Sequence, residues 1–289
     1  MTILVTGSAG FLGQNLVPFL KKSGHTVIGI DLKPDTHSHL SYQQDLLSGV
    51  FDDMPKIDIC IHLASRVGGF LHNNLKEELP DYELALLKSV KKICDEKNCE
   101  RIIYTSSINV FENEGDYNHG PLQIFNQKTP YARAKMMGEK FVQNHFKEFV
   151  ILRPTNLFGK TQMASSSQAG SSHVIPELLH KIKMSPIVEI LGDGNQLRNF
   201  IHVSDVCHFI HFILKTPSCG WFNLRSEIQM TIKNLALELV SFLNEKRELI
   251  FRPEFLKYEP KPICLFDIKK LTQMGWKPHF SEIKSGLLF

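Results

Sequence analysis

The chain has 289 residues, 33 Lys and Arg against 30 Asp and Glu for a formal net charge of +3, with 43% hydrophobic and 22% charged residues. This is the balance of an ordinary globular protein. A disordered chain would carry too few apolar groups to offset the entropy of ordering, and a near-neutral charge without a Lys/Arg block gives no motive for nucleic-acid binding. The length accommodates one large α/β domain, or a large domain with a smaller companion.

The opening MTILVTGSAG has neither a basic region nor a long apolar stretch, so no signal peptide is expected. No apolar run approaches the roughly 18 residues of a membrane span. The cysteines at 60, 94, 99, 207, 219 and 264 form neither a C-x-x-C pair nor a zinc spacing. A cytoplasmic protein with reduced thiols is the expectation.

In chain order, short apolar runs predict strands at 2–6, 26–31, 57–63, 101–106 and 148–153. Helical spacing of apolar residues predicts helices at 11–22, at 81–97 (Leu84, Leu87, Val90, Ile93, Cys94) and at 131–147 (Met136, Met137, Phe141, Val142, Phe146). Strand–helix alternation of this kind predicts a doubly wound parallel sheet, whose ligands sit at the carboxyl ends of the strands. Beyond residue 156 the pattern loosens into a polar, Ser-rich loop at 160–173 and helices at 174–184, 204–215 and 231–246. His208 and His211 lie three apart on the second of these, but no carboxylate or cysteine cluster joins them in the sequence, and no metal site is expected.

Residues Thr6-Gly7-Ser8-Ala9-Gly10-Phe11-Leu12-Gly13 stand where the first strand turns into the first helix. Gly7 suits the tight turn, Gly10 lets backbone approach a pyrophosphate, and Gly13 permits close helix–strand packing. The helix N-terminus then offers N–H groups and a positive dipole end to phosphate. Asp31 closes the second predicted strand, where a carboxylate can accept both adenosine ribose hydroxyls and repel an added phosphate. That favours NAD over NADP, an argument that Lys33 blunts.

Further on, Tyr131 and Lys135 stand at i, i+4 on one helix face. An ammonium group beside a phenol stabilises the phenolate, which can take a proton from a hydroxyl while hydride leaves the same carbon. Ser107, just past the fourth strand, can hold the same oxygen.

Together these residues resemble the extended short-chain dehydrogenase/reductase family of nucleotide-sugar epimerases, dehydratases and reductases, over almost the whole chain. The resemblance implies a Rossmann fold with a dinucleotide-binding domain over 1–157 and a return segment at about 198–216. A smaller substrate-binding lobe would take 158–197 and 217–289. It implies cofactor contacts at Gly7, Ala9, Gly10, Phe11, Leu12, Gly13, Asp31, Asp45, Leu46, Leu63, Ala64, Tyr131, Lys135 and Pro154. Ser107, Tyr131 and Lys135 look like the family's catalytic triad. Pro154-Thr155-Asn156-Leu157-Phe158-Gly159 is similar to a turn whose Asn contacts substrate. Arg198 begins a stretch resembling R-x-F-x-H-V-x-D, whose Arg grips the diphosphate, and Met274-Gly275-Trp276-Lys277-Pro278 resembles the family's L-G-W-x-P.

Within the family, Val67-Gly68-Gly69 with Asn73-Asn74, and Ser171-Ser172-His173-Val174-Ile175-Pro176, resemble segments of the GDP-L-fucose synthase group. In that group the His serves as an acid. The substrate contacts expected here are Gly69, Asn109, Asn156, Val174 and Arg198, with His173 as a second acid.

The departures narrow the reaction. Ile108-Asn109 replaces the Asp-Glu pair of the dehydratases, and Asn109 stands where GDP-L-fucose synthase has a Cys base. Neither residue exchanges a proton usefully near pH 7, so dehydration and 3,5-epimerisation are discounted. The phosphate-binding Arg expected shortly before Asp267 is replaced by Ile263 and Cys264, with Lys261 nearby.

What remains is NAD-dependent hydride chemistry at C4 of a nucleotide-diphosphate sugar. The alternatives are C4 epimerisation, 4-keto reduction with NAD(P)H, and a catalytically inactive dinucleotide-binding sensor or scaffold. The family's habit of pairing the helices equivalent to 81–97 and 131–147 implies a homodimer.

Overall fold

The expected strands form the centre of one parallel sheet. In a computed structural model that describes residues 1–112, 120–122, 127–160, 162, 164, 170, 172–216, 218–258 and 268–288, they are β1 (Thr2–Thr6), β2 (Thr26–Asp31), β4 (Ile59–His62), β5 (Arg101–Thr105) and β6 (Glu148–Pro154). Two strands absent from the sequence reading, β3 (Leu40–Gln43) and β10 (Gly220–Leu224), extend it to seven in the order β10-β6-β5-β4-β1-β2-β3. Every neighbouring pair is parallel.

A parallel sheet covered on both faces needs apolar residues at successive positions, and the side-chain period of two deals them to opposite sides. Ile3 and Val5 go one way, into a core with Leu16, Val17 and Leu20 of α1 (Phe11–Lys22) and Val206, Phe209 and Ile210 of α6 (Val203–Lys215). Leu4 goes the other way, towards Leu86, Leu87 and Val90 of α3 (Leu79–Glu96) and Val142 of α4 (Pro130–His145). A short helix, α2 (Phe70–Leu75), precedes α3.

A smaller unit stands over the carboxyl ends of the strands. In it β7 (Asn156–Phe158) pairs parallel with β9 (Leu197–His202), and β11 (Gln229–Thr231) pairs antiparallel with β9. Alongside, β8 (Ile187–Leu191) pairs with β12 (Glu248–Arg252). Its core joins Phe158 and Phe200 to Ile175, Leu178 and Ile182 of α5 (Val174–Met184) and Leu235 and Leu239 of α7 (Ile232–Phe242). Two short helices, α8 (Lys269–Gln273) and α9 (Ile283–Leu288), lie near the C-terminal end of the described residues.

Two boundaries differ from the expected division. β10 belongs to the large sheet although 217–289 was assigned to the smaller lobe. Its neighbouring Trp221 and Phe222 go to opposite faces, Phe222 into the α1/α6 core and Trp221 against the α3/α4 core. Conversely β9, assigned to the return segment, pairs with β7 and β11 in the smaller unit, and only α6 returns to the large sheet. The helix expected to run to 246 stops at Phe242, with Asn244 in the left-handed region at φ 54°.

One buried ion pair ties the strand ends to the helix layer. Arg153, fully buried on β6, donates from Nε and Nη2 to the two oxygens of Glu139 on α4, at 2.8 and 2.5 Å. Ser106 Oγ donates to the same carboxylate at 2.6 Å. Removing one partner of such a pair leaves an unpaired charge in the interior. Glu139→Ala is therefore expected to lower stability by about 3–5 kcal/mol in urea unfolding. Glu139→Ala/Arg153→Met, which removes both charges, is expected to recover part of that loss.

Candidate functional site

The loop after β1 is shaped by two glycines that no other residue can replace. Gly7 has φ +74°, and a Cβ on it would lie 2.7 Å from the Ala64 nitrogen; a Cβ on Gly13 would lie 2.3 Å from the Gly7 oxygen. Gly10 is the N-cap of α1 and gives it no side-chain cap, so the helix opens bare onto a groove. Ala9 N donates to Asp31 Oδ2 at 3.0 Å and Lys33 N to Asp31 Oδ1 at 2.9 Å, which fixes the carboxylate at the groove's rim.

Gly7, Ala9, Gly10, Phe11, Leu12, Gly13, Asp31, Asp45, Leu46, Leu63, Ala64, Tyr131, Lys135 and Pro154 all line this one groove, of about 440 Å³. A glycine cradle, an uncapped helix N-terminus and a carboxylate at the end of β2 are the donor and acceptor set that a dinucleotide requires.

Ser107 and Tyr131 reach the groove from two caps. Ser107 caps the 3₁₀ turn Ile108–Phe111, its Oγ accepting from Asn109 N at 3.2 Å. Thr129 caps α4, accepting from Ala132 N at 3.2 Å, and is itself held by Glu112, which accepts from Thr129 N at 2.6 Å and Oγ1 at 2.8 Å. Tyr131 lies in the first turn of that helix.

The Lys135 ammonium lies 5.9 Å from the centre of the Tyr131 ring. Its donors go to Glu83 Oε1 at 2.8 Å, Ser65 Oγ at 3.0 Å and the Thr105 carbonyl at 3.2 Å. Glu83 also accepts from Tyr104 Oη and from Ser65 Oγ, both at 2.7 Å. Sequence reasoning missed Glu83. The available signal was a carboxylate in phase with the buried stripe of α3, with Leu79, Leu86, Leu87 and Val90.

Burial alone would raise the carboxyl pKa of Glu83, but the Lys135 ammonium, His62 and the bonds from Lys135 and Ser65 hold it below its ordinary value. His62 is buried at the end of β4, with Nδ1 2.6 Å from Thr6 Oγ1 and Nε2 without a partner among the described residues. Burial pushes its pKa down to about 4; Glu83 opposes the shift and Lys135 adds to it.

A second cavity, of about 190 Å³, adjoins the groove and shares Asn109, Asn156 and His173 with it. Gly69, Val174 and Arg198 line it too. Asn156 Nδ2 donates to the Asn199 carbonyl at 2.9 Å. His173 is the N-cap residue of α5, yet its ring makes no capping bond. It presents surface to the cavity while enclosed by protein, and burial followed by His72 lowers its pKa. Gly69 has a physical reason to be glycine, because a Cβ there would lie 2.2 Å from the Ser172 carbonyl. Ser171, most of the 160–173 loop, and Lys261, Ile263, Cys264 and Asp267 lie outside the described residues. Among the described residues no helix is long and apolar enough to cross a membrane.

A doubly wound fold with a glycine cradle and a Ser-Tyr-Lys set at the strand ends defines the class. The family follows from comparison with known proteins. Residues 3–223 match the model of the NAD dependent epimerase/dehydratase family, and the chain belongs to that family. This bears out the resemblance to the extended short-chain dehydrogenases/reductases. The chain is 23% identical to GDP-L-fucose synthase of Escherichia coli K12, covering 99% of this chain and 94% of that one. Its fold is similar to UDP-glucuronic acid 4-epimerase from Bacillus cereus in complex with UDP-glucuronic acid and NAD, with a TM-score of 0.80, 22% identity and 100% and 97% of the two chains covered. It is also similar to the Thermus thermophilus UDP-glucose 4-epimerase complex with NAD, with a TM-score of 0.81, 19% identity and 99% and 96% covered.

The buried histidine makes stability depend on pH. Folded His62 stays neutral down to about pH 4, whereas an unfolded chain protonates it near 6.5. The unfolded state binds more protons between those values, so stability falls as pH drops through the window, by about 3 kcal/mol across it. Urea unfolding between pH 7 and 4 is expected to show that slope, and His62→Asn is expected to flatten it.

Proposed function

We propose that the chain is an NAD-dependent enzyme acting at C4 of a nucleotide-diphosphate sugar, interconverting C4 epimers through transient oxidation. One observation carries the reading: Ser107, Tyr131 and Lys135 stand in a dinucleotide-shaped groove that shares Asn109, Asn156 and His173 with an adjoining polar cavity. Sugar and cofactor would meet at that shared wall. A nicotinamide cofactor held by Gly7, Gly10 and Asp31 would supply the hydride acceptor and donor at C4.

Tyr131 is the proton carrier. As the phenolate, its oxygen would take the C4 hydroxyl proton as the C4–H bond gives up its hydride, leaving a 4-keto sugar and a neutral phenol, and the phenol would return the proton when the hydride comes back. Ser107 Oγ holds the same oxygen. Lys135 supplies positive charge beside the phenol as the proton leaves, and Glu83 and Ser65 keep the ammonium in place. Asp31 would accept ribose hydroxyls, and Arg198 would face the diphosphate. Asn109 and Asn156 are neutral amides, so they orient the sugar without abstracting protons at C3 or C5.

The second reading is one-way reduction of a 4-keto sugar with NAD(P)H. The tight fit of Gly69 against Ser172, which brings Asn73 and His173 to one cavity, favours it. The lowered His173 pKa weighs against it, because the shift favours the neutral imidazole, a hydrogen-bond partner, over the protonated acid.

A panel of nucleotide sugars and their 4-keto derivatives, assayed with and without NAD(P)H, separates the two. Turnover without added reductant is expected; turnover only with stoichiometric cofactor oxidation would establish the reductase. In heavy water, no deuterium is expected at C3 or C5. Tyr131→Phe is expected to lower kcat by about 10²-fold or more, while NADH binding followed by fluorescence stays at the wild-type level.

A further inference from the structure

We propose that Asp205, His208 and His279 form a binding site for a divalent transition-metal ion of the zinc class, outside the catalytic groove and its adjoining cavity. None of the three lines either space. Asp205 is in the first turn of α6, and His208 lies one turn further along the same face. His279 comes from the C-terminal segment, 74 residues from Asp205 in sequence. That segment is seated where Trp276 packs edge-on against Phe209 of α6, with ring centres 5.0 Å apart.

One ligand atom from each residue lies within 4.8 Å of the other two. His279 Nδ1 is already 3.3 Å from Asp205 Oδ1, close to the spacing of two donors on one tetrahedral metal ion. The His208 and His279 ring centres are 5.2 Å apart.

Two features point to a ligand rather than to a chance grouping. The Asp205 carboxylate is fully buried, yet no Lys or Arg pairs with it among the described residues. Its partners are the backbone N–H groups of His279 and Phe280 and the His279 ring. A buried carboxylate held by backbone N–H groups and an imidazole, with no Lys or Arg beside it, is a ready ligand for a cation. On the residue one turn along, His208 Nδ1 is buried and has no hydrogen-bond partner among the described residues, and the same holds for Nδ1 of His211. The His208 ring stands edge-on to Phe19, and only His208 of the two has a ring nitrogen within reach of Asp205 and His279.

Two imidazoles and one carboxylate are the borderline donor set of zinc-class ions, with a fourth position left to water. Calcium and magnesium prefer sites built of oxygen alone. A metal bound here would clip the C-terminal segment to α6. His211, one turn beyond His208, faces His25 and Phe19 and takes no part in the cluster, which makes it the control.

The test titrates the chelator-treated protein with Zn²⁺ by calorimetry and with Co²⁺ by visible absorption. Saturable one-to-one binding is expected, with Co²⁺ bands of four-coordinate intensity and a raised melting temperature with Zn²⁺ but not Mg²⁺. His208→Gln and His279→Gln should each weaken binding by about tenfold or more. Both positions are at least partly exposed, so the variants should melt like the metal-free wild type, while His211→Gln should bind as the wild type does. Absence of saturable binding would overturn the proposal. So would unchanged affinity in either ligand variant, or an equal loss in His211→Gln. Neither readout involves a sugar or a dinucleotide, so the result stands apart from the catalytic reading.

Discussion

A charged group taken out of water must be paired where it is buried, and that constraint organises the centre of this protein. Lys135 and Glu83 are both within the protein, 2.8 Å apart, with Tyr104, Ser65 and the Thr105 carbonyl completing their bonds. The pair holds α4 against α3 and the end of β5, and so fixes where Tyr131 stands. A second pair, Arg153 with Glu139, does the same for β6 and the turn that carries Ser107. Between them the two pairs position both sides of the candidate reaction centre. They add little net stability, but a departure from either arrangement leaves a charge buried alone, so the geometry is tightly determined.

The electrostatic consequence is local. Lys135 beside a free phenol would be a lone positive charge, but with Glu83 attached the site is close to neutral. His62 stays neutral too, since burial pushes its pKa down to about 4. Beyond the Lys135 ammonium beside Tyr131, the charges available for ligands lie at the ends of the groove, at Asp31 and at the bare N-terminus of α1, and at Arg198 in the adjoining cavity. Such a site needs no basic surface, in keeping with a formal net charge of +3.

Much of this was legible in the chain itself. Gly7 and Gly13 were readable because a turn and a close packing contact exclude every side chain there. Asp31 and the Tyr131–Lys135 pair were readable because strand ends and helix spacing are local properties. All the cofactor residues named from sequence line one groove, and Gly69, Asn109, Asn156, Val174 and Arg198 line its neighbour. β10 and the placement of β9 were not readable, and Glu83 showed only as a carboxylate in phase with a buried helical stripe. A carboxylate in a helical stripe looks like a solvated one until α4 brings its lysine. A five-residue strand carries no mark of which sheet it will join.

The grouping of Asp205, His208 and His279 shows the same division more sharply. Two of the three share a helix face, and the spacing shows it; the third is 74 residues away and arrives through Trp276 packing on Phe209 and the backbone bonds of His279 and Phe280 to Asp205. The sequence by itself determined the doubly wound sheet, the glycine cradle and the Ser-Tyr-Lys set, because periodicity, turns and i, i+4 spacing are settled within a few residues. Tertiary structure alone decided which charges are paired, which sheet each late strand joins and which distant side chains meet. Those depend on contacts between segments far apart in the chain, and no local pattern encodes them.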